Sequence, residues 1–205
     1  MSSDLSNRKR ALFFTLSIIA GLLDYLICDL VAWVNHLPLF CDTIFIMGLS
    51  FLAGPWWGVL AGFFYHLIDF LLNRTLELGH LFMLCHFIAA LTTGYFKILF
   101  IKETDTKFSI FIKLILLSLV LCLVMSISGG IIGYILNNIE AYKAASSQTD
   151  FLTFLWDNKF HSKLLLQIAV RIPVNIADRF ICTFAAWGVY WGVLKIKGLI
   201  LARNR

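Results

Sequence analysis

The side chains most able to do chemistry sit where a chain this apolar tolerates them least. The stretch RIPVNIADR, Arg171–Arg179, sets Arg171, Asn175 and Asp178 at i, i+4 and i+7, on one face of a helix. Asp24, Asp29, Asp42, His66, Asp69 and His86 also fall within or at the edge of apolar runs. An ionisable group inside a membrane span costs several kcal/mol unless it is paired or wet, so each needs a ligand or a partner. Together they describe a polar cavity, richer in aspartate than in arginine, suited to a cationic or hydrogen-bond-rich ligand. Arg179 projects about 100° from Asp178 and is expected to serve a different neighbour. Pro173 removes a backbone donor and leaves a carbonyl for a ligand or a bend. Simple pairing that ties helices together is the alternative for Arg179 and Asp69.

These residues need a membrane scaffold. The chain has 205 residues, 60% hydrophobic and only 14% charged, with a mean hydropathy of +0.85. A soluble domain of this size would require far more charge on its surface. Several apolar runs reach the length of roughly 18 residues expected of a span, and none shows the period-2 alternation of a membrane barrel. The expectation is an all-α membrane protein, one domain over 1–205, with six transmembrane helices. They fall near Ala11–Val34, Asp42–Ala53, Pro55–Leu72, Leu81–Ile101, Ser109–Leu136 and Leu164–Leu194. The second is too short to cross ~30 Å of hydrocarbon at 1.5 Å per residue. Asp42 is placed to cap its amino end, and Gly54-Pro55 to end it in a tight turn.

Basic residues orient the bundle. Arg8, Lys9 and Arg10, then Lys102 and Lys107, then Lys195, Lys197, Arg203 and Arg205 all lie in the cytoplasm if both termini do. The net charge of +5 then serves orientation in the bilayer, and no nucleic-acid partner is indicated. Lys97 lies toward the cytoplasmic side and is expected to snorkel. The first apolar run is too long for a signal peptide and is expected to stay as a helix. Between Asn137 and Lys163, Leu152, Leu155 and Trp156 recur at helical spacing, fitting either a short amphipathic helix or an ordinary interfacial loop. Gly58 and Gly62, Gly129-Gly130 and Gly133 allow close helix approach.

Other chemistries are poorly served. The five cysteines, Cys28, Cys41, Cys85, Cys122 and Cys182, are scattered and read as small hydrophobes. Cys85-His86 with His80 fits no standard zinc spacing, so no metal or cofactor is assigned. No GxxxxGK[ST] loop occurs. No soluble domain is expected.

The run LPLFCDTIF, followed by AGPWWGVLAGF with its Gly54-Pro55-x-x-Gly58, resembles the start of the second and third helices in the substrate-binding S components of energy-coupling factor (ECF) transporters. IPVNIADRFICTFAAW is similar to the last helix of that group. The resemblance covers essentially the whole chain. It implies a substrate-capture subunit in a prokaryotic cytoplasmic membrane, not an enzyme, for a small water-soluble vitamin or precursor. A membrane coupling subunit and two cytoplasmic ATPases would supply the energy, and the S component would topple to deliver its substrate. The substrate would lie under the loop between helices one and two, placing Trp33, Asp42, His66, Asp69, His86, Arg171, Asn175 and Asp178 around it.

The family often docks on the coupling subunit through Ala-x-x-x-Ala in helix one. The nearest equivalents here are Ala11-x-x-x-Thr15 and Ser17-x-x-x-Gly21. Met1-Ser2-Ser3 lacks the N-terminal Met-His of the cobalt and nickel branch. A stand-alone membrane sensor carrying the same helix-two pattern is the competing reading. A membrane hydrolase built on Ser50 and His66 is a third, but Ser50 lacks the Gly-x-Ser-x-Gly context.

Overall fold

A computed structural model describes residues 2–35, 39–74, 78–139 and 159–203, with Thr153, Leu155 and Trp156. The helices are α1 (Ser2–Asn35), α2 (Ile44–Ala53), α3 (Pro55–Asn73), α4 (Met83–Phe100), α5 (Lys107–Asn137), α6 (Lys163–Ala169) and α7 (Arg171–Arg203). A 3-10 turn, Leu78–Phe82, leads into α4. Among the described residues there is no strand. Four helical segments are long and apolar enough to cross a membrane: Asn7–Val31, Pro55–Asn73, Leu78–Phe100 and Lys107–Asn137. Of the remaining expected spans, α2 is short, and α7 carries Arg171, Asp178 and Arg179 in its first half. The amphipathic segment expected around Leu152 lies largely outside the described residues, although the Trp156 and Phe160 rings stack at 6.3 Å.

The short helix is the centre of the bundle. α2 packs on α1, α3, α4 and α7, and Ile46 to Phe51 are buried without a break. An element of 10 residues spans only about 15 Å, so both of its ends stop inside the protein and need partners there. Neither end is served by its own flanking side chains. Thr43, at the N-cap, makes no side-chain cap bond. Asp24 of α1 supplies the cap instead, accepting Phe45 N–H at 2.9 Å and Ile46 N–H at 2.7 Å. This corrects the expectation that Asp42 caps the helix.

At the other end Gly54 takes a φ of 105°, a conformation glycine reaches without steric cost, and Pro55 starts α3 at once. Proline has no N–H, so the Phe51 carbonyl four residues back loses its helical donor. Lys97 of α4 donates Nζ to that oxygen and lies 4.4 Å from the Tyr190 ring centroid. Lys97 therefore turns inward and does not snorkel. A carboxylate at the N-terminus and an ammonium at the C-terminus match the helix dipole from both sides.

α1 lies against α3. Ser17 is fully buried and donates to the carbonyls of Phe13 at 2.9 Å and Trp57 at 3.2 Å. A Cβ on Gly21 would stand 2.7 Å from both the Ala61 carbonyl oxygen and the Tyr65 nitrogen, so only glycine admits this approach. Ser17 and Gly21 thus pack internally and are not available as an outward docking surface. Ala11 and Thr15 are exposed. The last helical region breaks at Val170, between α6 and α7. Pro173 lacks the donor that the Ala169 carbonyl would need, which accounts for the break as expected.

Candidate functional site

The predicted polar face of α7 points into the protein. Arg171, Asn175 and Asp178 are all buried, at 8%, 5% and 0% exposure, but each meets a different neighbour. Arg171 packs on the glycine face of α5, where a Cβ on Gly133 would approach its Nη2 to 2.4 Å, and lies over the Phe82 ring at 5.6 Å. Asn175 donates to Ser126 Oγ at 2.9 Å. Asp178 accepts Phe40 N–H at 2.9 Å and Cys41 N–H at 2.8 Å on one oxygen, tying the turn before α2 to α7. Cys41 holds a φ of 49° there, which turns consecutive N–H groups toward one anion.

Arg179 closes this region. It is 1% exposed and donates to Thr43 Oγ1 at 2.8 Å, to Asp42 Oδ1 at 3.2 Å and to the second oxygen of Asp178. The expectation that Arg179 serves a different neighbour holds for Thr43 and Asp42, but the guanidinium reaches Asp178 as well. A long guanidinium side chain bends back across the angular separation that Cα directions alone suggest. Asp29, counted in the acidic cavity from sequence, is exposed and outside it.

From Asp42 the polar network runs across α4 and α3. Asp42 Oδ2 lies 3.0 Å from His86 Nε2. A carboxylate only accepts, so this His86 nitrogen carries the hydrogen, and Nδ1 of a neutral ring is left as an acceptor. The His86 and His66 rings lie 4.8 Å apart, with Tyr65 4.5 Å from His86 and 5.0 Å from His66. His66 Nδ1 is 3.4 Å from His80 Nδ1, and His80 Nδ1 is 3.6 Å from Asp69 Oδ2. Asp42, His86, His66 and Asp69 are thus brought into one chain, which His80 joins. The backbone of Trp33 lies in α1, and its side chain is outside those described.

Two atoms in this chain are left open. Among the described residues, His66 Nε2 and His86 Nδ1 are buried and have no hydrogen-bond partner, although their residues are only 8% and 3% exposed. A buried polar atom without a partner costs about 1–3 kcal/mol, a cost that a bound ligand removes. Ser50, raised as a possible nucleophile, donates to the Ile46 carbonyl at 2.9 Å, its ordinary role in a helix.

Sequence reasoning did not see Asp24 as a cap donated from another helix, nor Thr43 and Tyr65 as parts of this region. Pro55 held a usable signal, since its missing N–H required a donor for the Phe51 carbonyl. Cys85, set aside from sequence as a metal ligand with His80 and His86, turns its Sγ to Ser128 Oγ at 3.7 Å. No protein-family model matches the chain, and searches of curated proteins and of solved structures return no match.

Proposed function

We propose that this chain is the substrate-capture subunit of an ECF-type importer. It binds a small, water-soluble, hydrogen-bond-donating micronutrient, a vitamin or its precursor, in the polar centre of a six-span bundle with both termini in the cytoplasm. The observation that carries this reading is the pair of buried imidazole nitrogens, His66 Nε2 and His86 Nδ1, on neighbouring rings and each without a hydrogen-bond partner among the described residues. The short α2 supports it, because its ends stop inside the bundle and draw polar groups of neighbouring helices to the centre.

In this reading Asp42 orients His86, while Asp178 and Arg179 fix the turn at Phe40–Cys41 over the site. His66 and His86 contact the substrate, with Arg171 and Asn175 lining the wall beyond. The chain is a receptor in a prokaryotic cytoplasmic membrane and performs no covalent chemistry. Energy comes from a membrane coupling subunit and two ATPases, docking through the exposed Ala11 and Thr15 side of α1. Affinity purification from the native membrane tests this: a coupling subunit and two ATPases should co-purify, and uptake should need all of them. Ligand binding without accumulation in cells that hold all these partners would instead mark a sensor.

A further inference from the structure

Among the described residues, two groups of His, Cys or Asp bring ligand atoms within 4.8 Å of one another: Cys41–Asp178–Cys182 and His66–Asp69–His80. The first is a poor place for a cation, because the Arg179 guanidinium already sits on Asp178 and two N–H groups occupy its other oxygen. In the second, Asn73 donates to Oδ1 of Asp69 and Oδ2 faces His80 Nδ1 at 3.6 Å. We propose that His66, Asp69 and His80 form a binding site for a divalent transition metal of the zinc type.

The distances support a common centre. Four ligands at about 2.0–2.1 Å in a tetrahedron lie about 3.3 Å from one another. His66 Nδ1 and His80 Nδ1 are 3.4 Å apart, and His80 Nδ1 and Asp69 Oδ2 are 3.6 Å apart. Two imidazole nitrogens and one carboxylate oxygen are ligands that zinc and its neighbours accept. Three protein ligands leave a fourth position for water or a solute donor, the composition of an open site.

The surroundings are also those of a metal site. His66 and Asp69 stand one turn apart on α3, so the helix fixes their spacing. Asn73, one turn further on, donates Nδ2 to Asp69 Oδ1 at 2.6 Å. That bond orients the carboxylate and leaves Oδ2 toward the histidines, as outer-shell partners do for ligating carboxylates. His66 is 8% exposed, whereas the side chains of His80 and Asp69 are 19% and 31% exposed. The site is therefore anchored in the protein and open at one side, which gives an ion a way in. It shares His66 with the capture reading but uses the other ring nitrogen: Nδ1 holds the ion, while Nε2, which then carries the hydrogen, faces the solute.

The test uses the full chain without an affinity tag, in detergent, stripped by a chelator and titrated with Co2+ followed by visible absorption. One equivalent should bind with the intense d–d bands of tetrahedral coordination, and Zn2+ should abolish them. Asp69→Asn, which keeps the side-chain shape, and His80→Gln should each weaken Co2+ binding by about 100-fold or more. His161→Gln, at an exposed position outside the cluster, should bind as the wild type does. Thermal unfolding of each stripped variant by circular dichroism shows that it is folded. Absence of stoichiometric Co2+ binding, or wild-type affinity in both Asp69→Asn and His80→Gln, overturns the proposal.

Discussion

Two polar regions meet at Asp42, and they are built differently. On the α7 side, Asp178, Arg179 and Thr43 meet one another's hydrogen-bonding groups and the backbone of the Phe40–Cys41 turn. On the α3–α4 side, His66 and His86 each present one buried nitrogen with no partner. Among the described residues the Asp178–Arg179–Thr43 group leaves one open position, the donor Arg179 Nε, whereas the α3–α4 side leaves two nitrogens on imidazole rings 4.8 Å apart. Under the proposed function the first pattern holds helices together, and the second is where a ligand binds. Asp24 and Lys97 belong with the first, since each closes one end of α2 from a neighbouring helix.

That contrast is open to breakage by substitution, with the effects ranked. Arg179→Ala should be the most damaging, costing about 3–5 kcal/mol by leaving the buried Asp178 and the half-buried Asp42 without their guanidinium partner. Chemical unfolding in detergent reads the loss. Asp24→Asn should cost ~1–3 kcal/mol, because the amide can accept only one of the two N–H groups of α2. Lys97→Met should cost about 1–2 kcal/mol in the same assay, leaving the Phe51 carbonyl without a donor. His86→Phe should cost about 1 kcal/mol in the ligand-free protein, since it removes an open polar atom but also the donor to Asp42 Oδ2. It should nevertheless abolish the thermal stabilisation that bound solute confers. Equal losses of stability for Arg179→Ala and His86→Phe would erase the distinction between the regions.

The smallest effect is expected away from both, in the turn between α4 and α5. Lys113 Nζ lies 2.6 Å from Asp105 Oδ2, and Lys102 N–H donates to the same carboxylate at 2.7 Å. The hydrogen bond from Lys113, aided by that from Lys102, holds the Asp105 carboxyl below the usual carboxylate range. A depressed folded-state pKa adds stability above the ordinary carboxylate pKa, and that contribution disappears as pH falls through the folded value. Asp105→Asn should therefore lower Tm slightly at neutral pH. The difference from wild type should vanish in acid, as a melting series across pH would show.

Much of the scaffold was legible from local pattern. The apolar runs, the shortness of the second helix, the Gly54-Pro55 turn and the break before Pro173 follow from length, φ preference and missing donors, all properties of neighbouring residues. The inward face of Arg171, Asn175 and Asp178 followed from helical period. Who meets whom did not. The bond from Cys41 to Asp178 joins residues 137 positions apart, and Asp24 reaches a helix that begins 20 residues later in the chain, at Ile44. Helix period gives the direction of a side chain and says nothing of which helix stands opposite. Ser17 and Gly21 were misread for that reason, since small residues suit an internal neighbour as well as an external one. His66, Asp69 and Asn73 at i, i+3 and i+7 were visible as a polar stripe, but His80 joins them only through the 3-10 turn.

The most direct test of the central claim is native mass spectrometry of the chain purified from cells grown in rich medium. The wild type should carry one small polar solute per chain, and His86→Phe, prepared identically and equally folded, should carry none. A wild-type chain that emerges empty, or a His86→Phe chain that retains the same solute, would contradict it.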